Sequence, residues 1–493
     1  MNHGRLELRQ YVTPPLERRT DYRITFVVLC LGVATFSLLQ SMVNPVLPTV
    51  AEALDTDQAT VTWVLTAYLV SASVFTPIIG RVGDKVGKER MLVVALGALA
   101  IGSLLAAVAS SIGVMVAARV IQGVGGGVRP LTFGIIRDEF PREKVAGAIG
   151  TAAALLAVGG GVGLVIAGPV VDALSYHWLF WLPMGVTTLA TIAAAVLIPA
   201  SPVRTPGRIS LGSALLLSAW LVALLLATSQ GHSWGWSSPE VVGLFVVAAV
   251  LLPVWVRTEA RSASPLVDMR MMRNPTVWTV NLVALMFGAG MYALFAFLPA
   301  FMQTPQVAGY GFGASVTESG LLLLPQTVAS FLMGVVSGRL AARFGTRVLL
   351  AAGAAMTAVS LFGLALVHTA TWQVVAETTL FGLGLGLAFA AMSNLVVEAV
   401  PPSQTGVASG MNANIRTVGG AIGSAVLASV VTSGARPDGL PVESGYTEGF
   451  LVLAVAMTVA TVVACLVPAA RRHPARVLEP EVVAAAPVGT MAS

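Results

Sequence analysis

Charged residues are scarce in this chain. Asp, Glu, Lys and Arg make up 10% of its 493 residues, whereas 56% are hydrophobic, and the mean hydropathy is +0.84. A soluble domain carries about 25% charged residues, so this composition excludes a soluble globular protein. Apolar runs of about 20 residues, the length of a helix that crosses a bilayer, recur along the whole chain. The sequence therefore predicts an all-α polytopic membrane protein.

Cysteine and histidine are also scarce. The two cysteines, Cys30 and Cys465, lie inside apolar runs, and the five histidines include no pair at ligand spacing. This pattern excludes a disulfide framework and gives no metal site, so we expect neither a metal nor a cofactor. The stretch VGKER lacks the spacing and the Ser or Thr of a nucleotide-binding P-loop. We therefore expect the energy for any transport to come from an ion gradient or from the substrate's own gradient.

Fourteen apolar segments, called spans here, are long enough to cross a membrane. Of the 28 Lys and Arg residues, 24 lie in the terminal arms or in loops on the same side of such a topology. Because basic residues stay cytoplasmic, we expect a multi-pass plasma-membrane protein with both termini in the cytoplasm and no nucleic-acid partner. The first span is too long for a cleaved signal peptide and is expected to be retained. The approximate limits are 24–46, 60–80, 91–110, 112–136, 146–170, 178–199, 209–230, 240–257, 275–302, 317–338, 347–367, 371–397, 405–433 and 447–469.

An internal repeat divides the spans into two halves. GRVGDKVGKER (80–90) joins spans 2 and 3, and GRLAARFGTR (338–347) joins spans 10 and 11, with Ala342 in place of Asp84. The offset of eight spans fits two six-helix units with spans 7 and 8 inserted between them, and paired halves around a midplane site are a common transporter design. The predicted division is a cytoplasmic arm (1–23), a six-helix bundle (24–200), two inserted helices (201–260), a second six-helix bundle (261–470) and a disordered cytoplasmic tail (471–493).

Several motifs resemble those of a known transporter family. GRVGDKVGKER resembles the loop signature of the major facilitator superfamily. RVIQG (119–123), LPAFMQ (298–303), GLLLLP (320–325) and GVASGMNANIRTVGGAIGSAV (406–426) are similar to its fourteen-helix drug–proton antiporter branch. The resemblance covers nearly the whole chain. It implies a major facilitator fold with helices arranged 6+2+6, and proton-coupled export of a hydrophobic or amphiphilic small molecule, a drug or natural product, by alternating access.

Three departures separate this chain from the pattern of that branch. The branch carries an Asp in span 1 where this chain has Gln40, and span 5 has Leu164 at the expected Pro and Ala167 at the first expected Gly. Span 4 carries Arg129 where the branch has an apolar residue. Gln40 and Leu164 favour an alternative on the same fold, an importer or facilitator with weak or no proton coupling. A membrane enzyme would need converging nucleophile, base or metal residues in the spans, and the sequence offers none. A sensor or scaffold would show no substrate flux. We expect a monomer whose partners are a small-molecule substrate, protons and the lipid bilayer.

The charged stretch at 80–90 is predicted to close one side of the transporter. Its glycines allow tight turns and close approach. Asp84 is one carboxylate among bases, and it is expected to pair with a base or with a helix N-terminus from the other half. Such contacts would break when the gate opens; the alternative is a plain basic loop that only fixes topology. The predicted gating residues are Gly80, Asp84, Lys85, Gly87, Lys88 and Arg90.

Two charges inside spans are candidates for proton coupling. A charged side chain within a membrane is costly and is therefore a functional hypothesis. The resemblance ties Arg119 in span 4 to proton transfer, and Glu377 in span 12 is the best membrane carboxylate because span 1 has no acid. Protonation of Glu377 or of a neighbouring group, sensed through Arg119, would bias one state. The alternatives are a structural Arg119 bonded to backbone carbonyls and an interfacial Glu377.

Polar and aromatic side chains within the spans are predicted to line a substrate cavity, because polar groups in a bilayer must face partners or water. Arg129 precedes Pro130, where a kink is expected to open a cavity. Its cation favours an anionic or zwitterionic substrate group, unless it snorkels to the surface. Arg416 is expected to face the cavity or to pair across the halves, unless its role is structural. The predicted cavity residues are Gln40, Asn44, Gln122, Arg129, Phe295, Gln303, Gln326, Met392, Asn394, Asn412 and Arg416.

Overall fold

The structure is a computed structural model, and it describes residues 21–201, 210–262, 265–432 and 441–468. Within these ranges the chain is helical and has no β-strand. Thirteen of the helices so described are long and apolar enough to cross a membrane, and residues 112–139 form one further crossing in three pieces. The prediction of an all-α protein with fourteen spans is confirmed. The predicted tail and most of the N-terminal arm lie outside the described residues.

The crossings are numbered α1 to α14 in chain order, and short helical turns lie between some of them. The crossings are α1 (Tyr22–Ser41), α2 (Trp63–Val86), α3 (Lys88–Ala107), α4 (Ile112–Gly123, then Val124–Gly127 as a 3₁₀ helix, then Val128–Glu139), α5 (Arg142–Ala173), α6 (Trp178–Leu197), α7 (Leu211–Trp234), α8 (Pro239–Arg261), α9 (Pro275–Gln303), α10 (Val316–Leu322 and Leu324–Phe344), α11 (Thr346–Leu366), α12 (Thr371–Ala399), α13 (Thr405–Thr432) and α14 (Glu443–Leu466). The short turns are Asn44–Val46, Leu47–Ala53, Gln58–Val61, Met269–Met272, Gln306–Ala308 and Pro402–Gln404.

Large apolar side chains cover much of the outer surface of the helices. Val196 is 75% exposed, Leu215 is 70% exposed and Leu189 is 61% exposed. Exposed apolar surface on this scale is unfavourable in water. It is the surface expected of helices surrounded by lipid tails.

Proline sets the shape of two crossings. Pro130 has no N–H to donate to the carbonyl of Gly126, and its ring crowds the preceding turn. The chain accordingly takes 3₁₀ geometry over Val124–Gly127, so the kink predicted at Pro130 falls in the residues just before it. In the same way, α1 ends at Ser41, short of the predicted limit, because Pro45 cannot continue the helix.

The charged stretch at 80–90 is largely helical, so its prediction as an interhelical loop is wrong. α2 continues to Val86 and α3 begins at Lys88, which leaves Gly87 alone between them. Gly87 has a φ of 130°, and Gly345, at the matching place between α10 and α11, has a φ of 87°. Residues with a Cβ atom rarely adopt such angles. The two copies of the sequence repeat therefore share one backbone design, a single glycine joining two helices.

The helices α7 and α8 pack on one another beside the seam between the halves. The rings of Trp220 and Trp255 lie 5.9 Å apart between them, and the hydroxyls of Thr66 and Ser229 share a 2.7 Å hydrogen bond between α2 and α7. The halves themselves meet along α2 with α13 and along α5 with α10. The position of α7 and α8 suits an inserted pair, while the domain boundaries near 201, 261 and 471 stay a prediction.

Candidate transport cavity and gate

A cavity of about 490 Å³ lies between the two halves. α1, α2, α4 and α5 border it from one half, and α9, α12 and α13 border it from the other. A cavity of this size is in the range that holds drug-sized ligands. The lining residues are Ser37, Gln40, Ser41, Pro45, Leu69, Arg129, Leu156, Gly160, Met291, Tyr292, Phe295, Ala296, Pro299, Ala300, Gln303, Leu385, Phe389, Arg416 and Ser424.

The cavity occupies the part of the bundle away from the charged stretch at 80–90. We call the end of the bundle that carries this stretch the basic face. α9 begins at the basic face and lines the cavity only with residues 291–303, in its second half. α2 runs toward the basic face and contributes only Leu69, from its first half. The cavity therefore extends from the middle of the bundle toward the opposite face.

The walls of the cavity combine an apolar surface with a few polar groups. The apolar part includes Leu156, Met291, Phe295 and Phe389. Amides and hydroxyls interrupt it, among them the side chain of Gln40. Such walls suit a ligand that has a large apolar body and a small number of polar groups.

Two arginines lie at the inner end of the cavity. Arg129 is 9% exposed and Arg416 is 6% exposed. The guanidinium carbon of Arg129 lies 5.3 Å from the ring centre of Phe36, and that of Arg416 lies 4.5 Å from the ring centre of Phe389. The Nε of Arg129 is buried and has no hydrogen-bond partner among the described residues. Both arginines thus line the cavity, and Arg129 does not snorkel to the surface.

The structure brings five of the predicted cavity residues to this cavity. They are Gln40, Arg129, Phe295, Gln303 and Arg416. Asn412 lies next to them, in a narrow space bordered by both arginines, where its Nδ2 donates to Asn281 Oδ1 at 2.9 Å. The side chain of Asn44 is outside the described part of the structure.

Three of the predicted cavity residues are instead buried in helix contacts. Gln122 Oε1 accepts a 2.7 Å hydrogen bond from Arg119, and its Nε2 donates to Ser103 at 3.0 Å. Met392 and Gln326 are buried and do not line the cavity. Their prediction as cavity residues is wrong. A side chain in a span can satisfy its polar or packing needs against any neighbouring helix, so residue type alone does not identify the face it occupies.

Asn394 also lies away from the cavity, contrary to prediction. Its Nδ2 donates to the carbonyl of Ala146 at 3.2 Å. This bond joins α12 of one half to the beginning of α5 of the other. Asn394 therefore contributes to the contact between the halves and leaves the cavity wall to residues nearer the middle of α12.

Sequence reasoning missed several residues of the cavity wall, including Tyr292 and Ser41. The helical period of about 3.6 residues would have identified Tyr292 and Met291. Met291 and Tyr292 precede Phe295 by four and three residues, the spacing that puts side chains on one face of a helix. Extending the face of α9 from Phe295 and Gln303 toward its middle would have found them.

Arg119 is fully buried and does not line the cavity. Its Nε donates to the carbonyl of Val64 at 3.0 Å, and its Nη1 donates to that of Leu39 at 3.5 Å. Its guanidinium carbon lies 4.3 Å from the ring centre of Tyr68. Among the described residues it has no ion pair. These neutral partners correspond to the structural alternative, and the carboxylate that Arg119 was expected to influence is not in contact with it.

Glu377 lies in the other half, on the side of α12 that faces α11. A Cβ atom placed on Gly363 of α11 would collide with its carboxylate. Its Oε2 is buried and has no hydrogen-bond partner among the described residues. Glu377 does not line the central cavity. The structure therefore does not bring the side chains of Arg119 and Glu377 together, and their roles in proton coupling stay a prediction.

Asp84 joins the two halves at the basic face. It is fully buried near the end of α2, and its two oxygens accept hydrogen bonds from the backbone N–H groups of Gly406 at 3.2 Å and Val407 at 3.1 Å. These groups belong to the first turn of α13, where N–H groups lack partners within the helix and the helix dipole favours an anion. The contact with a helix N-terminus of the other half, expected from the sequence, is present.

Lys88 is fully buried beside Asp84. Its Nζ lies 2.5 Å from Asp138 Oδ2 and 3.9 Å from Asp84 Oδ1. It also donates to the carbonyl of Pro402 at 3.5 Å. One ammonium group thus links α2, α3 and α4 of the first half to the turn that precedes α13 of the second.

Further contacts close the basic face around this ion cluster. Arg137 Nη1 donates to Thr405 Oγ1 at 2.7 Å, and Gly80 and Gly406 lie in backbone contact where α2 crosses α13. Of the other predicted gating residues, Gly87 forms the turn between α2 and α3, while Lys85 is half-buried and Arg90 is exposed.

Comparison with known proteins identifies the family. The chain matches the family model described as Major Facilitator Superfamily over residues 29–424 and 304–490. It is 26% identical over 376 residues to the multidrug transporter protein MdtP of Bacillus subtilis (strain 168), covering 76% of this chain and 68% of the relative. It is 32% identical over 446 residues to the cephamycin export protein CmcT of Amycolatopsis lactamdurans, covering 88% and 90%.

A solved structure shows the same fold. The crystal structure of the human organic anion transporter MFSD10 (TETRAN) matches with a TM-score of 0.68 and 15% sequence identity, over 90% of this chain and 99% of that chain. At this identity the likeness concerns the fold alone. The resemblance stated from the sequence motifs is confirmed. Since the family model spans most of its length and two halves enclose a cavity within a bundle of membrane helices, the chain belongs to the major facilitator superfamily and is a transporter rather than an enzyme.

Proposed function

We propose that the chain exports hydrophobic or amphiphilic small molecules across the plasma membrane by alternating access, driven by a proton gradient. The observation that carries this proposal is a central cavity whose two walls, one from each half, are bonded together at the basic face by Asp84 and Lys88. Relatives named as multidrug and antibiotic export proteins support the direction of transport.

The orientation follows from the positions of the basic residues. Since Lys and Arg stay cytoplasmic, the basic face lies inside the cell and both termini are cytoplasmic. The cavity then faces outward, with its inner end closed. In an export cycle this is the state in which substrate leaves and the carrier is ready to return to the cytoplasmic side.

The contacts of Asp84 supply the gate in this cycle. Opening the basic face requires α13 to move away from α2, which breaks two charge-assisted hydrogen bonds to Gly406 and Val407. It also separates Lys88 from Pro402. These bonds stabilise the outward-facing state, and the substrate and proton must together offset their loss in each cycle.

Glu377 is the carboxylate that we propose carries the proton. One of its oxygens is buried and unpartnered among the described residues, and burial in a bilayer favours the neutral form of an acid. It lies between α11 and α12, so gain or loss of its proton acts on the packing of those two helices. Its distance from the cavity makes the coupling indirect, through α12, which also borders the cavity at Leu385 and Phe389.

The test uses the purified full-length protein in proteoliposomes with an acidic interior. The probe is dansyl-leucine, a weak acid that passively accumulates on the alkaline side of a membrane. We expect accumulation in the acidic interior, release of protons reported by an external pH dye, and loss of both when nigericin dissipates the gradient. Flux that follows only the probe's own gradient, with no proton movement, would contradict coupling and support the facilitator alternative.

A further inference from the structure

We propose that the substrate is an organic anion whose acid group, such as a carboxylate, binds between Arg129 and Arg416. The inference rests on the proposed function and names its substrate class. It starts from the two cations at the inner end of the cavity, one on α4 in the first half and one on α13 in the second.

Among the described residues, neither of the two cations has a counter-ion. No Asp or Glu is among the described residues that line the cavity or the two narrow spaces next to the arginines. Neither arginine takes part in an ion pair within the described ranges. Their aromatic neighbours Phe36 and Phe389 offer ring faces, which attract a cation more weakly than a carboxylate does. Buried cations in a membrane are costly unless paired, so the site is incomplete without an anion.

The remaining wall of the cavity selects the rest of the ligand. Phe295, Met291 and Leu156 form an apolar surface, and Gln40 and Gln303 add hydrogen-bonding groups. An amphiphile with its acid group at the arginines and its apolar body against α9 satisfies both parts. A lipophilic cation would meet two like charges at the inner end, which destabilises its binding.

The arginines also give the anion a role in the transport cycle. Because they belong to different halves, their mutual repulsion opposes the approach of α4 and α13 around an empty cavity. An anion between them replaces this repulsion with two attractions. Substrate binding therefore favours closure of the cavity around the bound anion.

The test measures binding of three dansyl compounds to the full-length protein in nanodiscs, with empty nanodiscs as background. Dansyl-leucine is an anion, dansyl-leucinamide is its uncharged isostere, and dansylcadaverine is a cation. We expect dansyl-leucine to bind at least tenfold more tightly than either of the others. Arg129→Gln and Arg416→Gln should each weaken dansyl-leucine binding about tenfold to a hundredfold, while the weak binding of the amide stays unchanged.

Two further variants separate charge from structure. Arg129→Lys retains the cation and should keep part of the preference for the anion. Arg343→Gln removes an exposed cation near the basic face and should leave binding unchanged. Equal affinity for the anion and the amide, or unchanged anion binding in both cavity variants with wild-type melting temperatures, would overturn the proposal.

Binding and transport report on different claims. A preference for dansyl-leucine that depends on the arginines supports the anion site even if no pH-driven flux is found, in which case the proposed export fails. Conversely, pH-driven flux of all three dansyl compounds at equal rates, without a binding preference, supports export and overturns the anion site.

Discussion

Gly80 of α2 and Gly406 of α13 lie in direct backbone contact at the basic face. A Cβ atom on Gly80 would lie 2.6 Å from the carbonyl oxygen of Gly406, and one on Gly406 would lie 2.7 Å from that of Gly80. Only residues without a side chain permit this crossing. The closest approach of the two halves at the gate therefore depends on both glycines, and it brings Asp84 within reach of the N-terminus of α13.

We expect Gly80→Ala to shift the carrier toward the state with an open basic face. The added methyl group must push α13 away, and such overpacking costs about 1–3 kcal/mol. Spin labels at Arg90→Cys and Arg273→Cys, which are exposed positions, report the distance between the halves once Cys30 and Cys465 are replaced. The population of long distances should rise several-fold.

Gly113→Ala is the matched control for that experiment. A Cβ atom on Gly113 would meet nothing within 4 Å, so this variant should keep the wild-type distance distribution. A Gly80→Ala protein with unchanged distances would show that the contact with Gly406 does not limit closure.

Asp84→Asn should open the same gate without adding bulk. The amide keeps one acceptor oxygen but loses the negative charge that faces the N-terminus of α13 and Lys88. Hydrogen bonds to charged groups are worth about 1.5–3 kcal/mol, so the ratio of closed to open carriers should fall about tenfold to a hundredfold in the same spin-label measurement. Asp55→Asn is the control, since Asp55 is exposed and its φ of 48° is one that Asn accepts.

Lys88→Met should lower the stability of the whole protein. The substitution leaves Asp138 with no cation at 2.5 Å, and breaking a buried ion pair from one side costs about 3–5 kcal/mol. Thermal melting in detergent should therefore show a clearly lower Tm. The double variant Lys88→Met with Asp138→Asn removes the orphaned charge and should recover part of the loss. A single variant as stable as the wild type would contradict a structural role for this pair.

The sequence predicted the number of crossings, the internal repeat and the family because these rest on long-range patterns. A run of apolar residues long enough for the bilayer has one physical solution, a helix. Local geometry at 80–90 was harder to predict. Six charges and three glycines within this stretch indicate a loop by composition, yet burial of Asp84 and Lys88 against the other half lets the helices continue to the single residue Gly87.

The site was only partly predictable because it depends on which face each helix presents to the cavity. Arg129 and Arg416 were assigned to the cavity because polar groups in a bilayer must face partners or water, and both line it. The same argument failed for Gln122, because the hydrogen bonds of its side chain are made with Arg119 and Ser103, inside the first half. Whether a polar residue meets water or a protein partner is decided by tertiary packing, which one sequence does not contain.

Glu377→Gln should separate proton coupling from substrate movement. Gln has nearly the same shape as Glu and fits the space beside Gly363, but it neither binds nor releases a proton. Accumulation of dansyl-leucine driven by the pH gradient should be abolished, while flux down the probe's own concentration gradient continues. Glu240→Gln, which removes an exposed carboxylate at the start of α8, should leave both activities intact. If Glu377→Gln proteoliposomes still accumulate the probe at the wild-type rate, the proton is carried by another group.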